Sequence, residues 1–120
     1  VVVWLEDDGV HAALLDAAGA ATGLGLVHAV TSPAYVPRIT AAPSAAGFDV
    51  LMDHVDGAAL RQVVVRSFDL TGAPAGALEV VAPICGVGWS EGRISFVQRG
   101  SGRHAAWSDP GIGAIVFATF

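Results

Sequence analysis

Two stretches of this chain read as one unit written twice. Val2 to Gly19 runs VVWLEDDGVHAALLDAAG, and Val50 to Gly72 runs VLMDHVDGAALRQVVVRSFDLTG. Each opens on an apolar run and turns at Asp8-Gly9 or Asp56-Gly57. Each continues as a second extended run and closes on Asp-x-x-Gly, at Asp16–Gly19 and Asp69–Gly72. The spacing, roughly 50 residues, lies in the range of stacked-repeat architectures. A third, degenerate unit lays Gly92–Val97 over Gly47–Met52 and Ser101-Gly102 over Asp56-Gly57, which divides the chain into units 1–47, 48–91 and 92–120. A repeat constrains architecture first, because one unit cannot bury its apolar face alone and must stack on a neighbour. It leaves chemistry open.

The local signals are those of strands. Val1–Trp4 is short, β-branched and bounded by charge, and Asp-Gly supplies hairpin-turn chemistry behind it. Val10–Leu15 is rich in Ala and Leu, which favours helix on propensity. Its counterpart Arg61–Phe68 carries three consecutive valines and favours strand. The repeat therefore assigns strand to both, and an α+β alternative would place one helix near residues 10–18. Ala17–Gly25, Thr31–Pro37 and Pro43–Gly47 read as loops or turns. Leu26–Val30, Arg38–Ala42, Phe48–Met52, Leu78–Val81, Ile94–Gln98, His104–Trp107 and the final apolar run read as strands. Glu91-Gly92, Gly100–Gly102 and Pro110-Gly111 read as turns. The expected fold is all-β, in antiparallel sheets.

Composition narrows the function classes. Of 120 residues, 53% are hydrophobic, so the chain can bury enough surface to offset its ordering entropy. No window reaches the roughly 18 consecutive apolar residues of a membrane helix. The net charge is -5, with no lysine and six scattered arginines. A phosphate backbone would need a basic stripe, so no nucleic-acid partner is expected. Cys85 is alone, which excludes an internal disulfide and a paired-cysteine zinc site. It reads as a buried small hydrophobe. Both ends fall inside apolar runs, and the expectation is a fragment or processed segment of something longer.

Val-Val-Trp, then Asp-Gly, then Asp-x-x-Gly, then a Pro-bearing linker and Gly-Phe-Asp-Val-Leu resembles the repeats of large bacterial secreted or surface proteins. In those repeats an apolar strand ends in Trp and an Arg-, Asp-, Gly- and Pro-bearing hairpin follows. Arg66-Ser-Phe-Asp69-Leu-Thr-Gly72-Ala-Pro74-Ala-Gly76 is similar to that hairpin. Ser67–Gly72 also resembles the Asp-box turn of sialidase-type propellers, a structural hairpin remote from catalysis. The likeness covers most of residues 1–81 and weakens afterwards. Met52 stands where the repeat has Trp, and the first hairpin lacks the Arg and the Pro. The resemblance implies blade-like sheets of a partial β-propeller and an extracellular or cell-surface setting. A closed propeller usually has at least four blades, so it also implies completion by a homo-oligomer or by a longer chain.

Chemistry-bearing residues are sparse. Asp7, Asp8, Asp53, Asp56 and Asp69 fall at expected turns, where Asp bonds its own backbone. The D-x-[DN]-x-[DN]-G calcium pattern is missing. His11, His28, His54 and His104 show no metal-ligand spacing. Ser95, His104 and Asp109 make a triad by inventory only, with no G-x-S-x-G elbow. Trp89, Arg103, His104 and Trp107 lie in the late segment. Exposed, they would form a platform for a glycan or peptide; buried, they would be core. The expected function is therefore a non-catalytic repeat module, a scaffold or binding surface, with no cofactor or metal. The alternative is a segment of a larger propeller-containing, hydrolase-like enzyme whose active site lies outside this chain or between subunits.

Overall fold

The computed structural model describes residues 1–29, 38–55, 60–84 and 93–120. The expected turns at Asp56-Gly57 and Glu91-Gly92, the loop Thr31–Pro37, Cys85 and Trp89 lie outside them. The described residues form ten strands and no helix. These are β1 (Val2–Glu6), β2 (Gly9–Leu15), β3 (Ala21–Ala29), β4 (Ile39–Ser44), β5 (Gly47–Val55), β6 (Arg61–Asp69), β7 (Glu79–Pro83), β8 (Ile94–Arg99), β9 (Gly102–Asp109) and β10 (Ala114–Thr119). They make three antiparallel sheets, β1-β2-β3, β4-β5-β6-β7 and β8-β9-β10. Every paired strand is the sequence neighbour of its partner, so hairpin closure builds each sheet locally.

Residues 10–15 are strand, which overturns the α+β alternative. Val10 and Ala12 are fully buried while His11 between them faces the other side. That two-residue alternation, with partners on both β1 and β3, outweighs the helix propensity of Ala and Leu. The end of the expected helix is a turn. Asp16 Oδ1 accepts the amides of Ala18 and Ala20, and Gly19 sits at φ 82°. Asp69 repeats this in detail: its Oδ1 accepts the amides of Thr71 and Ala73, and Gly72 sits at φ 83°. Both are three-residue hairpin loops whose glycine takes the left-handed position. Two expectations fail nearby. Ala21–Gly25 belongs to β3 rather than to a loop, because its backbone pairs with β2 as far as Leu15. Pro43 belongs to β4, on an edge strand where its missing amide costs no ladder bond.

The other hairpins turn tightly. Only Asp7-Asp8, Ala45-Ala46 and Gly100-Ser101 separate the paired residues Glu6/Gly9, Ser44/Gly47 and Arg99/Gly102. The expected Asp8-Gly9 turn is thus Asp7-Asp8, with Gly9 the first residue of β2. Glycine is needed there for room as well as for φ. A Cβ on Gly9 would lie 2.1 Å from the His28 carbonyl oxygen, and one on Gly47 would lie 2.1 Å from that of Phe68.

The sheets stack in three layers. One face of the middle sheet presents Phe48, Val50, Met52, Val64 and Phe68 to Val10, Ala12 and Val27 of the first sheet. Phe48 and Phe68 stack with centroids 5.2 Å apart. The opposite face presents Leu51, Val63 and Val65 to Ile94, Ala105 and Trp107 of the third sheet. Covered on both sides, β5 is buried from Phe48 to Asp53 without alternation. Each large side chain so buried contributes about 1.5–3 kcal/mol.

Candidate functional site

The seam between the middle and third sheets holds the strongest charge chemistry of the described residues. Asp53 was expected at a turn. It instead lies within β5 opposite Val63, with its side chain fully buried. Arg38, just before β4, donates to it from Nε (2.8 Å) and Nη2 (3.1 Å). Arg61, opening β6, donates from Nη2 at 2.7 Å. Arg38 also spans the seam, donating from Nη1 to the Ser108 carbonyl (2.8 Å) and Oγ (3.0 Å). Four residues earlier on the same face, buried Asp49 lies 3.1 Å from Arg103 Nε of β9. Arg103 also donates to Glu79 Oε2 (3.0 Å) and to Ser67 Oγ (3.1 Å). A buried acid leaves water only if a cation compensates it, so these pairs bind the two sheets in one register.

Of the suggested binding residues, Trp89 lies outside the described residues, and the other three do not share one surface. Trp107 is 1% exposed and belongs to the core, where its indole packs between sheets. Arg103 faces Asp49 inside the seam, while its neighbour His104 faces outward beside Thr119, its Nδ1 3.1 Å from Oγ1. The inventory triad does not form either. Ser95 pairs opposite Ala106, and Asp109 takes the Gly111 amide (2.9 Å) at the far end of β9. Five residues of strand put Asp109 about 16 Å along β9 from His104, on the opposite face.

The β1–β2 hairpin gathers a cluster that linear spacing did not suggest. Trp4 Nε1 donates to Glu6 Oε1 (2.8 Å), and the Trp4 and His11 rings lie 5.8 Å apart. His11 Nε2 is 2.7 Å from Asp8 Oδ1 and 3.7 Å from Glu6 Oε2. The hydrogen bond from His11 holds the Asp8 carboxyl below its usual range; slight desolvation opposes it and the His11 charge adds to it. One donor atom from each of Glu6, Asp8 and His11 lies within 4.8 Å of the others, near enough to share a metal ion. Calcium takes 6–8 oxygens, and this set supplies one nitrogen and two exposed carboxylates. The direct His11–Asp8 hydrogen bond accounts for the arrangement.

Both ends of the stack expose apolar residues. On the outer face of the third sheet, Val97 is 57%, Ile115 66% and Phe117 78% exposed. Val97, His104, Ala106 and Phe117 there line a shallow apolar depression of about 260 Å³. On the outer face of the first sheet, Val2, Trp4 and Leu26 are 37–45% exposed. The fold and these surfaces define an all-β protein of three stacked antiparallel sheets, with charge buried between layers and apolar faces at both ends. No helix among the described residues is long and apolar enough to cross a membrane. No family model matches the chain, and neither a curated protein nor a solved structure matches it.

Proposed function

We propose that this chain is a non-catalytic repeat module, with blade-like sheets of a propeller-type array, serving as a scaffold or binding surface in a secreted or surface protein. The observation that carries the reading is the matched pair of hairpin loops at Asp16 and Asp69, with the same amides bonded to the same carboxylate oxygen. They join β2 to β3 in the first sheet and β6 to β7 in the middle sheet, as copies of one structural unit would. Polar chemistry points the same way. Asp49, Asp53, Arg38, Arg61 and Arg103 pair with one another in the seam between layers. Such a module offers rigid sheet faces to its neighbours.

The test is a panel of chromogenic ester, phosphoester, glycoside and peptide substrates. The expected result is no turnover above that of the His104→Ala and Ser95→Ala variants. Turnover by the chain that either variant abolishes would overturn the reading.

A further inference from the structure

We propose that the seam between the first and middle sheets holds a site for a small oxyanion of the sulfate or phosphate type, formed by His28, His54 and Arg66. Sheet register brings the three together. His28 of β3 lies opposite Val10, a core residue, so it faces the middle sheet. His54 of β5 follows Met52 at the two-residue spacing, and Arg66 of β6 stands between Val64 and Phe68 at the same spacing. Met52, Val64 and Phe68 all pack toward the first sheet, so His54 and Arg66 face it too. The His28 and His54 rings meet edge to face with centroids 5.7 Å apart. The Arg66 guanidinium lies over the Phe68 ring, 5.8 Å from its centroid, and its charge reaches His28.

Two observations call for an anion. First, Arg66 Nε and His28 Nδ1 are both buried, and neither has a hydrogen-bond partner among the described residues. A buried donor left unbonded is costly, most of all on a charged group, and an acceptor placed between the sheets would satisfy it. Second, among the described residues no acidic side chain faces this seam. Asp49, Asp53 and Glu79 pair with arginines on the side of the third sheet. Glu6 and Asp8 bond Trp4 and His11, and Asp7 is exposed in the turn beside them. Asp16, Asp69 and Asp109 take the amides of their own turns. The other seam thus supplies an acid for Arg38, Arg61 and Arg103, while this one holds a guanidinium and two imidazoles with none. All three residues are half-buried, so the cluster stands at the margin of the seam, within reach of a small solute. A tetrahedral oxyanion accepts from guanidinium and imidazole N–H groups at once, and such charge-assisted bonds are the strong ones. A metal cation would meet the Arg66 charge instead, with no carboxylate to offset it.

The experiment is a sulfate titration followed by the histidine ring proton resonances, with ionic strength held constant by sodium chloride. Sulfate is the probe because its charge does not change where histidine titrates. The His28 and His54 resonances are expected to shift saturably, with a Kd of about 1 mM or below at mildly acid pH. Bound sulfate should raise the His28 midpoint from about 4, and by reciprocity sulfate should bind more tightly as the pH falls. Arg66→Met should weaken binding about tenfold or more. Arg66→Lys keeps the charge without the planar fork, should weaken binding less, and serves where the Met variant does not fold. In His28→Gln, binding should strengthen less with acid. Resonances that move no more in sulfate than in chloride alone would overturn the proposal. So would a sulfate titration that the Arg66 variants leave unchanged. None of these outcomes bears on turnover, so the module reading stands or falls separately.

Discussion

Replacing Asp53 with Ala removes a carboxylate that Arg38 and Arg61 share. The side chain is 0% exposed and accepts three charge-assisted hydrogen bonds, at 2.7, 2.8 and 3.1 Å. The side chains of Arg38 and Arg61 are only 9% and 15% exposed. Deleting the acid therefore takes the carboxylate they share out from between two largely buried guanidinium groups. Breaking a buried pair in this way costs about 3–5 kcal/mol. A domain of this size has roughly 6–18 kcal/mol in all, so Asp53→Ala should lose a large share of its stability. Urea unfolding followed by the tryptophans measures it, with the slope checked for two-state behaviour. The companion variant Asp53→Met, Arg38→Met, Arg61→Leu removes the charges together. It should recover most of the loss, because apolar groups of similar volume replace a buried ion set at little cost. If Asp53→Ala costs under about 1 kcal/mol at unchanged slope, the seam is wetter than its geometry implies and the argument fails.

Two further predictions concern local features. Gly47→Ala puts a methyl 2.1 Å from the Phe68 carbonyl and 2.8 Å from the Asp69 Cα, so it should cost about 1–3 kcal/mol. Gly76→Ala, with nothing within 4 Å, should stay within about 0.5 kcal/mol, and equal midpoints for the two would refute the close approach. His28 is pushed down to about 4, by burial first and then by the charges of His54 and Arg66, and its Nδ1 has no hydrogen-bond partner among the described residues. The unfolded chain, with a histidine near 6.5, takes up the proton first. His28 thus contributes its full stability above pH ~6.5 and loses it as the pH falls toward 4. Partial exposure screens the effect to about 1–2 kcal/mol. The loss between pH 7.5 and 4.5 should be smaller in His28→Gln, and parallel profiles would refute the assignment.

Turn chemistry was the most legible part of this protein. Asp-x-x-Gly at residues 16–19 and 69–72 announced its loop because a short carboxylate can reach its own downstream amides and glycine can take the left-handed position. Three valines in β6 announced a strand, and the repeat carried that assignment to β2. Asp53 was misread because Asp in a short window signals a turn. Only its partners, from positions 38 and 61, make it affordable inside a strand. A signal was present: Asp49 and Asp53 are four apart, hence on one face of an unbroken apolar strand. Trp107 was ambiguous for a related reason, since a tryptophan has the same composition on a platform as in a core. The cluster at Glu6, Asp8 and His11 escaped notice because a hairpin, not a linear spacing, brings the three side chains together.

By itself, then, the sequence determined the all-β class and the Asp-x-x-Gly turns at residues 16–19 and 69–72. These depend on interactions a few residues long, and backbone chemistry decides them locally. Tertiary structure decided which faces are core, which charges are buried and which apolar residues remain in water. Those outcomes depend on the order in which the sheets stack, and stacking sets together residues as distant as Arg38 and Ser108. Strand periodicity alone cannot say which of two apolar faces meets a neighbour.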